Sequence, residues 1–457
     1  MHTKLKNAKN TLISTLLRFC KNKALYLLIL CFTSKLALMK KFSVVFTLLI
    51  FVQGMAQVAE EMPAPPYIKT VQFYGNTAES QLPLIQLGTP LRLSFDDIIG
   101  DESDFYYTIT HYDYDWTPSV LVKNEYIDGV DDVRIMNYTN SVSTLQLYTH
   151  YELTIPNQYT TAITKTGNYL LEVFNADEEL IFSRKFMIYT PLVSVGVEVL
   201  RSRDLEFIEQ KQVVNFFVDS GENVLINPKN TVKTLIIQNN NLKNSIGNIQ
   251  PQYNIGNRLE YRYNDETSFY GGNEFFDYDN KNIRTATNRI QFVDLQDLYH
   301  NYLYGNTTRA DLEYTFNPDI NGNFVIRTMQ GSDPRIHAEY AWIHFSLEHP
   351  QRPKGEDIYI YGNFNNYDLE DATRMYYNAD TGRYETAMLM KQGYYNYKYV
   401  VAKNGKRLEE NPISGDFWQT ENEYDVLVYY RPPGARFDEL IGVGNALSTS
   451  ISNVRRD

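Results

Sequence analysis

The stretch ITHYDYDW, residues 109–116, places His111, Asp113 and Asp115 at alternate positions. In an extended strand those side chains share one face, and an imidazole with two carboxylates is a donor set for a divalent metal. A second reading stands beside it. Asp-x-Asp-Trp is also the sequence of a sandwich strand turning into a loop, with Trp116 closing the end of the core. No further His or Cys clusters nearby to complete a metal shell. DINGN, residues 319–323, alternates a carboxylate with amides like the opening of a calcium loop. It lacks the downstream bidentate Glu, and a hairpin turn at Asn321-Gly322 accounts for it better. The run holding Asp277, Asp279 and Asn282 reads as a polar loop.

Nucleophilic and phosphate chemistry find no foothold. The chain has no Gly-x-Ser-x-Gly elbow, no His-Glu-x-x-His, no Ser-x-x-Lys and no phosphate-cradling glycine loop. Its 55 acidic residues are enough that some pair will always suit glycoside hydrolysis, so their abundance places none. The expectation is a protein that is not an enzyme, with no catalytic residue, no metal and no cofactor.

The elements that would carry these residues are strands. The chain has 37 Tyr and 24 Phe, and strand formers crowd into short runs. Val193, Val195, Val197 and Val199 alternate with Ser194, Gly196 and Glu198, the period of a half-buried strand. Strands are also predicted at 169–174, 213–218, 232–237, 340–347 and 394–401, punctuated by turns at Asn321-Gly322-Asn323, Thr381-Gly382 and Asn404-Gly405. Residues 289–304 are the best helical candidate. The pattern implies an all-β chain of tandem immunoglobulin-like or E-set β-sandwich domains. Punctuation divides it into domains at 64–190, 192–334 and 335–432, with a tail at 433–457. In SFYGGNEFFDYD, residues 268–279, Phe269, Tyr270, Phe275, Phe276 and Tyr278 flank a Gly-Gly-Asn turn. A hairpin tip so aromatic is either buried against a neighbouring domain or offered to a partner.

Residues 1–56 hold nine Lys or Arg and no Asp or Glu. Lys40-Lys41 precede an apolar run at 42–52, and Gly54-Met55-Ala56 supplies small residues for cleavage after Ala56. That is the pattern of a secretory signal peptide, with Met39 the expected start of translation and a long leader or an uncleaved anchor from Met1 the alternative. Both cysteines, Cys20 and Cys31, precede the expected cleavage point, so the mature chain would hold neither disulfide nor thiolate metal site. The mature chain would carry 34 basic against 55 acidic residues, a formal charge of −21 that repels nucleic acid and anionic headgroups. No later apolar run spans a bilayer, so the expected location is the periplasm.

YGNFNNYD, residues 361–368, resembles the E-set glucan-binding modules related to glycogen-branching enzymes. Gly362, Phe364, Asn365 and Asn366 match their turn, and Met375, Asp380, Gly382, Tyr384 and Glu385 follow in order. Leu389, the strand GYYNYKYVV, Asn404-Gly405 and Asn411-Pro412 complete the likeness. Two tryptophans that form the sugar platform of those modules are replaced here, one by Tyr367 and the other within Lys406, Arg407 and Leu408. The resemblance thus implies a scaffold, with Tyr367 as the single ring left to stack a glycan.

A longer series of phrases resembles the plug protein family of the type IX secretion system. It runs from PPYIKTVQFYGN at 65–76 through FYYTITHYDYDW, the segment 124–157 and TGNYLLEVFN, then RDLEFIEQKQVVNFFVD at 203–219, the GNFNNYD region and RPPGARFDELIGVG at 431–444. The resemblance implies a periplasmic β protein on the inner side of the outer membrane, closing the mouth of a large translocon barrel that is its partner. Aromatic anchors such as Phe275 and Phe276, or Phe437, Leu440 and Ile441 of the tail, are the contact points expected for it. The tail has a second reading as a strap on its own domain. The alternative function is a cell-envelope carbohydrate-binding protein using Tyr367.

Overall fold

The computed structural model describes residues 58–75 and 82–451. The expected signal peptide, Met39, Cys20 and Cys31 lie outside them. The described residues from Ala59 onward form one compact unit. The protein is almost entirely β, 48% strand against 5% helix.

The first sandwich packs a sheet of Ile68–Tyr74, Leu91–Asp97, Thr149–Ile155 and Asn137–Asn140 on a five-stranded sheet. The second sheet runs Leu84–Gln86, Leu180–Tyr189, Gly167–Asn175, Phe105–Tyr112 and Val133–Arg134. Alternation puts Tyr169, Leu171 and Val173 inward against Leu91, Leu93 and Phe95. Phe95 sits at the centre, stacked on Tyr151 at 5.1 Å and meeting Phe105 and Phe182 edge-on.

The second sandwich is assembled from two distant parts of the chain. One sheet holds Ser194–Arg201, Lys211–Asp219, Arg258–Tyr261 and Tyr253–Ile255, with Ser268–Tyr270 on Lys211–Asp219. Its facing sheet pairs Asn241–Gly247 and Val232–Gln238 with Glu423–Tyr430 and Glu439–Leu447. Val214, Phe216, Val218 and Ile236 meet Tyr424, Val426, Val428 and Ile441 between the layers.

The third unit is a single long sheet that curls upon itself, from Phe276–Asp279 and Gly393–Lys403 around to Tyr299–Leu303 and Ile290–Leu295. Its tyrosines 278, 395, 397 and 399 share a core with Ile343, Phe345 and Leu347 from Tyr340–Glu348. Strand pairing therefore crosses the segmentation expected at 192–334, 335–432 and 433–457. Residues from Phe276 onward belong to the curled sheet, and the strands at 423–430 and 439–447 return to the second sandwich.

Two local expectations are corrected. Residues 289–304 form the antiparallel strands Ile290–Leu295 and Tyr299–Leu303 instead of a helix. The latter strand docks parallel to Tyr340–Glu348, and that pairing outweighs a weak helical period. Gly271-Gly272-Asn273 is no hairpin tip, because Ser268–Tyr270 pairs with Lys211–Val213 while Phe276–Asp279 pairs with Tyr394–Tyr397. The segment is a crossing from one sandwich to the next.

Leu440 is 0% exposed and packs with Leu82, Met187, Ile237, Leu427 and Tyr429 where the first and second sandwiches meet. Leu440→Ala is expected to lower stability by about 2–5 kcal/mol, the usual cost of a buried leucine. Urea unfolding checks it; an unchanged midpoint would make the tail a loosely held strap.

Candidate functional site

Most of the expected contact residues are enclosed by the fold. Phe269, Phe275, Leu440 and Ile441 are buried, and Tyr278 has no exposed surface. Tyr278 stacks on Tyr395, and Phe269 packs on Tyr424. Phe276, half-buried, lies on Tyr397 with the Arg309 guanidinium 3.9 Å from its ring centre. Phe437 meets His111 edge-on at 5.4 Å. Tyr270 keeps some exposure, with the Lys211 ammonium 4.4 Å from its ring centre. Phe269, Phe275, Tyr278, Leu440 and Ile441 are thus enclosed, which is the burial reading of the segment, and as buried groups these five are withdrawn as anchors for a partner, whereas Tyr270, Phe276 and Phe437 keep part of their surface.

Tyr367 is corrected likewise. It is 4% exposed, its ring lies against Tyr361 at 5.1 Å, and its hydroxyl donates to the Asn321 carbonyl at 3.2 Å. A sugar has no face of this ring to stack on. The neighbouring DINGN loop is structural. Asp319 accepts the Phe275 and Asn321 amides, and Asn396 accepts the Ile320 amide. Asn321-Gly322 takes positive φ without making a hairpin, since Phe324–Ile326 pairs with Gly393–Tyr395.

The trio at 109–116 is divided among three tasks. His111 is buried and bonded to Ser119 and the Thr166 carbonyl. Arg431 bridges Asp113 at 2.7 Å and Asp438 at 2.8 Å, fastening the first sandwich to the returning strand. Asp115 accepts from the Thr117 amide and hydroxyl. Trp116 packs beside Ala59, Tyr112 and Leu170 under Lys185. Among the described residues no group of three His, Cys, Asp or Glu could hold a metal. Asp277 and Asp279 pair with Arg289 and Arg327.

Burial lifts Glu274 to about 7, with Asp319 adding repulsion and Tyr314 opposing it through a hydrogen bond. Its carboxylate accepts the Tyr314 hydroxyl and the Glu421 amide. Together with Asp319, which takes the Phe275 amide, it fastens the crossing segment.

A charged knot joins the first sandwich to the curled sheet. Asp96, fully buried, accepts from His150 Nδ1 at 2.6 Å, Tyr340 Oη at 2.6 Å and Lys391 Nζ at 2.7 Å. Lys391 also donates to the Arg335 carbonyl and lies 4.0 Å from the centre of the Tyr148 ring. Glu152 lies 3.7 Å from His150 Nε2 and pairs with Arg335 at 2.7 Å. Burial opposes ionisation of Asp96, but Lys391 and His150 overcome it and hold the carboxyl below its usual range. Desolvation likewise opposes the His150 imidazolium, and the hydrogen bond to Asp96 with the nearby Glu152 carboxylate outweighs it, raising the histidine.

The structure also assembles an exposed aromatic row that was hidden in the sequence. Across adjacent strands Phe292 stacks on Tyr302 at 4.2 Å and Tyr302 on His344 at 4.0 Å, each within 11° of parallel. His300 is bonded to His344 at 2.9 Å, and cross-strand register sets His300 beside Trp342. Phe292 is 49% exposed, and Tyr376, on a strand of the same sheet, 58%. Reading 289–304 as a helix scattered these residues around an axis; the period-two spacing of His300 and Tyr302, and of Trp342 and His344, is the signal that would have gathered them.

A family model described as the type 9 secretion system plug protein 1st domain matches residues 68–190, which begin on the first strand of the first sandwich and end just after its last. No curated protein matches the chain. Among solved structures, a hypothetical protein from Parabacteroides merdae ATCC 43184 superposes with a TM-score of 0.80 at 30% identity, over 85% of this chain and 98% of its own. A collagen adhesin from S. aureus, at 8% identity and a TM-score of 0.09, carries no argument.

Two outcomes are expected from this geometry. Tyr367→Ala should cost about 3–5 kcal/mol, as for other large buried rings, in chemical unfolding, and leave retardation in glucan affinity gels unchanged. The raised histidine stabilises the fold fully below its ordinary value of 6.5, and that contribution is lost as pH rises through the folded value. The depressed Asp96 contributes above its ordinary 3.8 and is lost as pH falls through its folded value. Thermal melts of His150→Gln should therefore show a flatter decline above pH 6.5 than the parent; parallel declines would remove His150 from the knot's energetics.

Proposed function

Because the chain belongs to the type 9 secretion system plug protein family, we propose that this component of protein secretion acts in the periplasm as a stopper on the inner mouth of an outer-membrane translocon barrel. A channel wide enough for folded cargo leaks when empty, so a closing body is physically required. Such a body needs stiffness, shape and a reversible interface, and no chemistry.

The observation that carries the reading is the interlocking of the three sandwiches. A stopper built as beads on a string would bend at its linkers; here strands cross between units and a buried charge cluster locks the first to the third. Among the described residues no helix is long and apolar enough to cross a membrane. Stable docking needs about 1,000 Å² of total buried surface. With Phe275, Leu440 and Ile441 used internally, the stacked row of Phe292, Tyr302 and His344, exposed at Phe292, with Tyr376 exposed on the same sheet, is an aromatic surface suited to it. The glycan alternative loses its one ring with the burial of Tyr367.

Deletion of the gene is expected to admit normally excluded solutes through the translocon, measured as uptake of a large fluorescent dye by intact cells; an unchanged barrier would sink the proposal. Phe292→Asp, on an exposed position, should leave folding intact and reduce co-purification of a giant outer-membrane barrel at least tenfold, roughly the loss of one central aromatic contact.

A further inference from the structure

Where the curled sheet meets the second sandwich, the crossing segment and the returning chain enclose a cavity of about 330 Å³. Lys211, Lys398 and Arg407 line it, and among the described residues none of them has an ion-pair partner. Lys398 has only the Phe275 ring, whose centre is 4.7 Å from the ammonium. Arg407 donates to Asn244 at 3.2 Å, and Lys211 lies over Phe207 and Tyr270. A fourth cation on the wall, Lys243, is paired with Asp368. Glu409 and Glu421 share the wall without pairing to the three.

The amides around the cavity are already occupied. Asn239 donates to Asn422, Asn244 to Gln238, Asn273 to the Ser414 carbonyl, and Asn411 to Asp416. What remains free to bind is cationic. In a chain with twelve net negative charges, basic groups elsewhere find carboxylates, as Arg431, Arg335 and Lys391 do. Three unpaired cations around one concavity are the donor set for a phosphate or carboxylate group.

We propose that this cavity binds a small oxyanion, a phosphate- or carboxylate-bearing molecule held by Lys398 and Arg407 with Lys211 opposite. Burial and the adjacent Arg407 pull Lys398 down to about 8, against the attraction of Asp416 and Asp319, so the ammonium is charged at neutral pH yet poorly solvated. A bound anion replaces that lost solvation. It also bridges the two units, since Lys211 belongs to the second sandwich and Lys398 and Arg407 to the curled sheet. Such a ligand would tighten the seam that stiffens the body. The inference is independent of plugging.

The test is thermal unfolding of the purified protein at pH 7 and fixed ionic strength, titrated with inorganic phosphate and, separately, with citrate against chloride. The melting temperature is expected to rise and saturate with at least one of them, and the one that saturates at lower concentration tells a phosphate ligand from a carboxylate one. Lys398→Met should weaken the response at least about tenfold, the worth of one charge-assisted hydrogen bond. Without added anion that variant should melt no lower than the parent, because methionine relieves a desolvated charge. Arg407→Gln, at the cavity rim, should weaken the response too and serves if Lys398→Met does not fold. General salting effects raise parent and variant alike. No saturable rise with either anion, or an equal rise in parent and both variants, would overturn the proposal.

Discussion

The hydrogen-bonded pairing of Val232–Gln238 with Glu423–Tyr430 is the constraint on which the rest of the molecule depends. The hairpin at 232–247 has one apolar face, and alone it cannot bury it. The strands at 423–430 and 439–447 complete its sheet, and their Tyr424, Val426 and Val428 fill the core opposite Val214 and Phe216. That closure makes the curled sheet an insertion within the second sandwich. Two strands of chain must then cross the seam side by side, outward at 268–276 and back at 408–423.

The crowding of that crossing explains its glycines. A Cβ at Gly271 would lie 2.0 Å from the Phe417 carbonyl oxygen, and Gly272 takes φ +66° while its carbonyl accepts the Phe417 amide. The aromatics flanking those glycines are therefore internal mortar. Asn422 and Gln212 extend the seam as a buried amide network reaching Tyr424 and Thr420, each polar group satisfied by another. The cavity lies beside this network, where Lys211, Lys398 and Arg407 stand among the amides.

On the far side, the Asp96 cluster does for the first and third units what strand exchange does for the second and third. Removing a single partner from such a buried set typically costs about 3–5 kcal/mol, because the remaining charge is left without water or counter-ion. Apolar packing alone would tolerate sliding between two sheets; the directed bonds of Asp96 to His150, Tyr340 and Lys391 admit one arrangement. Together the two devices turn three sandwiches into one body, which is the mechanical property a stopper needs.

Period-two alternation made the all-β class legible, along with strands such as those at 167–175 and 211–219, because alternation is a local consequence of the pleat. The family whose first-domain model matches residues 68–190 was legible too, through the order of phrases read along the chain. The missing catalytic motifs turned the reading away from an enzyme before any fold was known. What the chain could not disclose locally was pairing between distant segments. An aromatic beside a glycine looks the same whether its neighbour is solvent or a strand returning from residue 423, so the sequence left Phe275, Tyr278 and Leu440 open between a buried and a partner-facing reading and offered Tyr367 to a glycan, and the structure encloses all four. Asp96 and Lys391 carry no motif, and Phe292, Tyr302 and His344 align only once three strands lie side by side. Burial and convergence are properties of long-range contacts, and those the tertiary structure alone decides.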